Sequence, residues 1–461
     1  AQPLKVENHH PDNSKTVMSA RLLRLRLKII TLKIIANRRS VNALSAAHRP
    51  RPLLMSNPSP PKTFFLISLI TDYAEPLMSF IHSLSHSTPE TPLLNDEQVV
   101  TRVFQHIDNG TTDLGDTVWH EPVAHYHSQA RFDAEIALLR SLPVPFCPSA
   151  ALPDPGSYVA RNAAGTPLLV VRGNDGVVRA FINACQHRGM QVASGSGCAK
   201  AFVCPYHAWT YGLEGNLKHI PGQAGFPNIA LEDNGLVEVS AAEKGGLVYV
   251  LQKGQIEPEM LEDALDFFTP DQTMFQHTQM EEAANWKLLT ETLLEGYHIK
   301  ALHRNSFYPF GLDNINVVET YGANARVIFP FRRIEKLRAI APEARRLNGT
   351  LTSVYHLFPN ASVSVLSKHT GLTIMEPLSP TQTQLVRYHV VNRHQANATI
   401  SLEDAQRDAA FVTQSGQDED REAARAIQET VTTGANIHLT FGYFEKAIVN
   451  FHQHLKQHLD P

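Results

Sequence analysis

The stretch CQHRGMQVASGSGCAKAFVCPYHAWTYG, Cys185–Gly212, holds three of the chain's four cysteines and two of its histidines. Cys185 and His187 form a C-x-H pair, and Cys204 and His207 a C-x-x-H pair. What surrounds them is β-rich. TPLLVVRGNDGVVRAFINAC (Thr166–Cys185) is two β-prone runs joined by GNDG, the signature of a hairpin. AFVCPYHAWTYGLEGNLKHIPG continues with short strands and Gly turns, and KGGLVYVLQKG (Lys244–Gly254) adds another strand. A small all-β domain over residues 143–255 is expected, with paired thiolates and imidazoles offered from short loops.

Outward from this segment, 461 residues are enough for two domains. Four cysteines in so long a chain make no disulfide framework, and clustered with histidines they read as metal ligands in a reducing compartment. From Asp72 onward the chain carries 29 Lys and Arg against 43 Asp and Glu, which argues against a nucleic-acid partner. RLLRLRLKIITLKIIANRRS (Arg21–Ser40) is basic, apolar and free of acids, as transit peptides are. TFFLISLI (Thr63–Ile70) falls well short of the roughly 20 apolar residues of a membrane span, so no membrane partner is expected. Residues 1–95 are read as an N-terminal extension outside the working protein. The expected location is the cytoplasm, or an organelle if the basic stretch is a transit peptide.

DEQVVTRVFQHI (Asp96–Ile107) has helical apolar spacing, and residues 96–142 are assigned to a helical part of the downstream domain. Beyond the β domain, EEAANWKLLTETLLEGYHIKALH (Glu281–His303) reads as helix by periodicity. NVVETYGANARVIFPF, SVYHLFPNASVSVLS and QTQLVRYHVV read as strands. EDREAARAIQETVTTGAN (Glu419–Asn436) is a helix stopped at Gly434, and a last helix carries Phe444, Ile448, Phe451, Leu455 and Leu459 on one face. The fold class is α+β, with residues 256–461 forming a larger domain of twisted antiparallel sheet and flanking helices.

Two metal centres fit the ligand pairs. A single zinc takes Cys2His2 tetrahedrally. A Rieske-type 2Fe–2S centre takes the same residues differently, with both cysteines on one iron and both histidines on the other. Zinc fingers usually pair like ligands, whereas each loop here mixes a thiolate with an imidazole, which favours the iron–sulfur reading. Cys198 and Cys147 are left as an ordinary loop residue and a packed thiol.

Downstream, EGYHIKALH presents Glu295, His298 and His303. Two imidazoles and a carboxylate on one face of an iron(II) make the open site of non-haem oxygenases. At roughly 100° per residue, His298 and His303 sit about 140° apart on a regular helix. They can share a metal only across a helix break or a π-type distortion.

CQHRG followed by CPYHAWTY, with Arg188, Gly189, Trp209 and Tyr211 in the flanks, resembles the Rieske motif of the Rieske non-haem iron oxygenases. NWKLLTETLLEGYHIKALH resembles their catalytic segment. The resemblance implies a 2Fe–2S cluster on Cys185, His187, Cys204 and His207, and a mononuclear iron(II) on His298, His303 and a C-terminal carboxylate. That carboxylate falls at Asp420 in GQDEDREAARAIQ, with Asp418 and Glu419 as neighbours that a small shift of alignment would promote. Glu295 falls where the family has a bridging acid. Aromatic ring-hydroxylating dioxygenases commonly have Asp there, and relatives acting on quaternary ammonium compounds have Glu.

The resemblance further implies an oxygenase component that hydroxylates a small organic substrate with dioxygen. Electrons come from NADH or NADPH through a partner reductase, with or without a ferredoxin. The α-subunits form a trimer, sometimes with β-subunits, and electrons pass from His207 through Glu295 to His298 of a neighbouring subunit. The alternatives are monooxygenation or oxidative demethylation of a quaternary ammonium compound and, more distantly, a Rieske electron carrier without oxygenase activity. Phe307, Tyr308 and Phe310 are candidate pocket residues, suited to an aromatic cage for a trimethylammonium group or to a slot for an arene.

Overall fold

The computed structural model describes residues 93–269, 272–347, 349–392 and 399–460. The readings of the basic stretch, of TFFLISLI and of nearly all of the extension lie outside these residues. Among the described residues no helix is long and apolar enough to cross a membrane. The segment Ser87–Pro461 is one compact unit.

Two seven-stranded antiparallel sheets organise it. In the first, strands follow the order 144–148, 247–251, 238–244, 178–182, 166–172, 157–163 and 195–198. The hairpin 166–172/178–182 lies at its centre, its turn closed by Gly173 and Val177. A separate three-stranded sheet, 202–203, 210–211 and 217–219, carries the second ligand loop. Trp209, Tyr211, Phe202, Leu213, Leu217 and Phe181 pack beneath both loops and hold them to one apolar floor.

The second sheet is a meander of strands 317–321, 324–330, 351–357, 361–365, 369–379 and 382–391, with strand 274–282 added at the 382–391 edge. Helix α1 (Asp96–Asn109) starts with a reciprocal Asn95/Gln98 capping box and packs Val99, Val100, Val103 and Phe104 against Val317 and Ile328. Helices α2 (Gln129–Ser141), α3 (Trp286–Glu291), α6 (Asp418–Val431) and α7 (Lys446–Leu459) share a core with Val327, Met375 and Leu385 of the sheet. The first sheet packs on the second. Phe146, Leu168, Val170 and Val248 lie in one buried cluster with Val363, Ile374, Val386 and Tyr388.

Two helix expectations are corrected. Glu281–His303 is not one helix. Glu281 and Glu282 end the edge strand, paired with Gln384 and Thr383, and only Trp286–Glu291 and α4 (Ile299–Leu302) are α-helical. Every residue of α3 is buried, so its sequence lacks the one-sided period that would have marked its short extent. Phe444 does not share the buried face of α7. It sits in the preceding 3-10 turn, 41% exposed, while Ile448, Phe451 and Leu455 are buried.

Candidate metal centres and their cavity

The two ligand loops are built alike. Gly189 N donates to Cys185 O at 2.8 Å, and Ala208 N donates to Cys204 O at 2.9 Å. Each loop is reversed by a left-handed residue, Gly189 at φ 74° and Ala208 at φ 58°. Glycine takes that conformation without steric cost. The loops split their ligands by depth. Cys185 and Cys204 are buried, each 3% exposed, whereas His187 is half-buried and His207 exposed. The imidazole rings lie 4.6 Å apart, and His187 stacks on Trp209 at 5.0 Å. Tyr211 Oη lies 3.2 Å from Cys185 Sγ, the kind of hydrogen bond to sulfur that tunes a cluster's potential.

Two inner thiolates and two outer imidazoles suit a two-iron centre, one iron per ligand type. A single tetrahedral ion would need all four groups gathered together. Among the described residues, the one set of three or more His, Cys, Asp or Glu whose ligand atoms come within 4.8 Å of one another is elsewhere. Cys198 is exposed on strand 195–198, and Cys147 is fully buried, its thiol pushed by burial up to about 12.

That other set is His298, His303 and Asp420. Its geometry begins at Asn285, whose side chain caps α3 by accepting from Lys287 N and whose amide reaches Pro380 O. Trp286 Nε1 and Lys287 Nζ both donate to buried Glu135, each at 2.7 Å, so this helix is fixed at its start. After α3 the chain leaves the helix at Leu293–Tyr297. Gly296 leaves room there for the buried Asn316 amide, since a Cβ would lie 2.3 Å from Asn316 Oδ1 and the amide would have to shift. His298 then stands just before α4 and His303 just after it, so the two imidazoles flank a single helical turn and the irregular backbone lies before His298. The π-type turn lies elsewhere, at Thr413–Gln417, between α5 (Leu402–Val412) and α6, whose first turn carries Asp420.

Each imidazole is held from behind by a carboxylate. His298 Nδ1 bonds to Glu295 Oε1, and Glu295 Oε2 accepts from the Tyr297 and His298 amides. His303 Nδ1 lies 2.7 Å from Glu419 Oε2, which also accepts from Ser306 Oγ. When the protons of the neutral rings sit on Nδ1, facing these carboxylates, both Nε2 atoms present lone pairs. They lie 3.5 Å (His298) and 2.9 Å (His303) from Asp420 Oδ1, itself buried without a satisfied hydrogen bond. With both imidazoles neutral, three acceptors facing one another are mutually repulsive, and what relieves them is a divalent cation among them or a proton on His303 donated to Asp420 at 2.9 Å. The residues present therefore fit a divalent metal.

Asp418 and Glu419, the other two acids of the run, go elsewhere. Asp418 pairs with Arg421 at the surface and Glu419 supports His303. Sequence reasoning missed Glu419's place behind His303 and the part of Ser306, because the contacts span 116 and 113 positions. Orienting partners of this kind typically contribute 10- to 100-fold to metal affinity. Glu419→Ala is expected to weaken iron binding by about that factor, with Glu419→Gln less damaging, as measured by competition with a chelator.

Above the triad is a cavity of about 950 Å³. Phe307 and Phe310 line it, joined by Phe411 at ring separations of 6.1 and 5.8 Å, and Phe307 lies 5.0 Å from His303. Tyr308 is outside the lining and lies beneath the Arg332 guanidinium. Gly416, in the π-type turn, gives Phe307 its place, since a Cβ there would lie 1.8 Å from the ring. Gly416→Ala is expected to push Phe307 into the cavity, costing about 1–3 kcal/mol of stability and raising KM more than it lowers kcat. Thermal unfolding and steady-state kinetics would check both.

Comparison with known proteins agrees with this architecture. The family model described as Rieske [2Fe-2S] domain matches residues 143–230, and that described as ring hydroxylating alpha subunit (catalytic domain) matches residues 271–460. An all-β cluster domain sharing a core with an antiparallel catalytic sheet is the arrangement of an oxygenase α-subunit. The chain belongs to the Rieske non-haem iron oxygenase family.

The carnitine monooxygenase oxygenase subunit of Escherichia coli (strain K12) is 32% identical over 199 residues, 40% of this chain and 52% of that protein. The choline monooxygenase, chloroplastic, of Spinacia oleracea is 25% identical over 319 residues, 66% of this chain and 70% of that one. The match thus spans about half the length of the carnitine relatives, 52–53%. Among solved structures, a quaternary ammonium Rieske monooxygenase in complex with L-carnitine aligns at TM-score 0.62 and 21% identity, over 74% of this chain and 96% of that one. Naphthalene 1,2-dioxygenase from Rhodococcus sp. aligns at 0.61 and 19%, over 80% and 99%. These structural likenesses speak to the fold.

Proposed function

We propose that this chain is the oxygenase component of a Rieske-type system and hydroxylates a small organic substrate with dioxygen. Cys185, His187, Cys204 and His207 would hold the 2Fe–2S cluster, and His298, His303 and Asp420 a mononuclear iron. The observation that carries the reading is the convergence of two lone-pair imidazoles and an unsatisfied buried carboxylate beneath a cavity. Iron(II) bound by such a triad supplies the binding and reductive activation of dioxygen.

The chain's own part is orientation and exclusion of water. Glu295 and Glu419 fix the two imidazoles, and the phenyl rings of Phe307, Phe310 and Phe411 keep the approach to them apolar. Electrons come from NADH or NADPH through a reductase, in a trimer where His207 of one subunit faces Glu295 of the next. Exposure of His207, and of Tyr297 beside Glu295 at 61%, supports an approach from outside the chain. Monooxygenation of a quaternary ammonium compound is the narrower reading. The Phe307–Phe310–Phe411 group favours it, because aromatic faces attract such cations.

The deciding experiment is oxygen uptake with a reductase and NADH over arenes, carboxylates and quaternary amines. Substrate-dependent uptake matched by hydroxylated or dealkylated product supports the proposal. Reddish-brown protein that shuttles electrons but consumes no oxygen with any substrate makes it a carrier instead.

A further inference from the structure

The charged groups lining the cavity are not balanced. Its acids are all engaged: Glu295 holds His298, Asp420 faces both imidazoles, and Asp408 accepts from Lys368 N at 3.0 Å and bonds His369 Nδ1 at 2.9 Å. Its cations are Arg332, Arg333, Lys336 and Lys368, and none of the four has an ion-pair partner among the described residues. The remaining cation of the same 3-10 turn, Arg338, does not line the cavity and is paired twice, with Glu335 and Asp108. Glu335 of this turn and Asp108 are thus spent on the one cation that does not line the cavity.

Position supports selection of a ligand. Arg332, Arg333 and Lys336 are exposed and Lys368 half-buried, whereas His303 and Asp420 are buried, so the cations ring the mouth and the triad lies at the floor. The collar has structure. Arg332 is held over the Tyr308 ring at 5.2 Å and donates to Tyr308 O. Arg333 packs on Phe331 at 4.9 Å and donates to Ser367 Oγ at 3.0 Å, which brings it beside Lys368. Guanidinium groups placed this way keep further N–H donors for a planar carboxylate. Four cations at the mouth of a low-dielectric cleft also concentrate anions and repel cations.

We infer that the substrate carries a carboxylate, held at the mouth by Arg333 and Lys368 with Arg332 and Lys336 beside them. The carbon to be oxidised reaches down among the phenyl rings. This rests on the proposed oxygenase function and narrows it: acids of the carnitine or betaine type, or arene carboxylates, fit, and an alcohol of the choline type does not.

The test measures binding, so it stands apart from turnover. Calorimetry on the iron-loaded protein would compare glycine betaine with choline, and 3-phenylpropionate with 3-phenylpropanol. The acid of at least one pair is expected to bind about tenfold tighter or more, with the advantage shrinking in high salt. Arg333→Gln with Lys368→Gln is expected to remove most of it, and circular dichroism would confirm that these mouth variants fold. Equal affinities within both pairs, tighter binding of choline, an advantage that survives both substitutions, or no binding of any probe would each overturn the inference. Acid-selective binding without any oxygen uptake would keep the inference and sink the oxygenase reading instead.

Discussion

Asp420→Ala is expected to leave a coloured, folded protein with about two irons per chain in place of about three, and with no substrate-dependent oxygen uptake. Asp420 is 8% exposed and supplies the negative charge between two lone-pair nitrogens. Without it, Glu295 and Glu419 still orient the imidazoles, but two neutral ligands remain where a divalent ion needs a charged third. Loss of an orienting partner alone costs 10- to 100-fold in affinity or activity, so loss of this ligand should cost more than about a hundredfold.

Asp418→Ala is the internal control, because Asp418 is a surface partner of Arg421. It should bind iron as the unmodified chain does. Iron analysis together with the visible spectrum separates the outcomes. An Asp420→Ala protein that keeps all its iron would remove Asp420 from the site. One that loses its colour as well would point to misfolding rather than to a missing ligand.

The parts of this site differ in how they announce themselves in the sequence. The cluster loops are legible because all four candidate ligands lie within one short stretch, and the hairpin before them is two β-prone runs joined by GNDG. His298 and His303 are legible as a pair, but the break or π-type distortion expected between them is not there: they flank one short helical turn, and because each sits at its end rather than inside a long regular helix, their rings still come within 5.1 Å. Asp420 is different. Alone it is one acid in a run opening a helix, as ordinary helix starts have, and only the family resemblance singles it out. Glu419 and the mouth cations are not legible, since they come together only when α6, the 332–339 turn and the strand before Lys368 meet around one cavity. The overlong helix at 281–303 failed for a related reason. A helix buried on every side has no amphipathic period to mark where it stops.

Glu376→Ala carries the largest stability effect expected from a single substitution here. Arg161, on a strand of the first sheet, and Glu376, on a strand of the second, meet at 3.2 Å with side chains only 2% and 3% exposed. Burial pushes the Glu376 carboxyl up, and Arg161 and the Ala164 amide pull against that rise without cancelling it. Arg161 is committed to the interior: it packs on the Phe146 ring at 4.0 Å and donates to Phe146 O and Asn162 O. Removing Glu376 alone leaves a guanidinium charge in the shared core, which costs about 3–5 kcal/mol. Glu376→Gln keeps an acceptor for the Ala164 amide and should cost less. Arg161→Met with Glu376→Leu removes both charges and should recover most of the loss, because a buried pair contributes little net stability against well-packed apolar residues. Denaturant unfolding of the three variants would order them. If Glu376→Ala unfolds no earlier than the double variant, the charge is not buried as described.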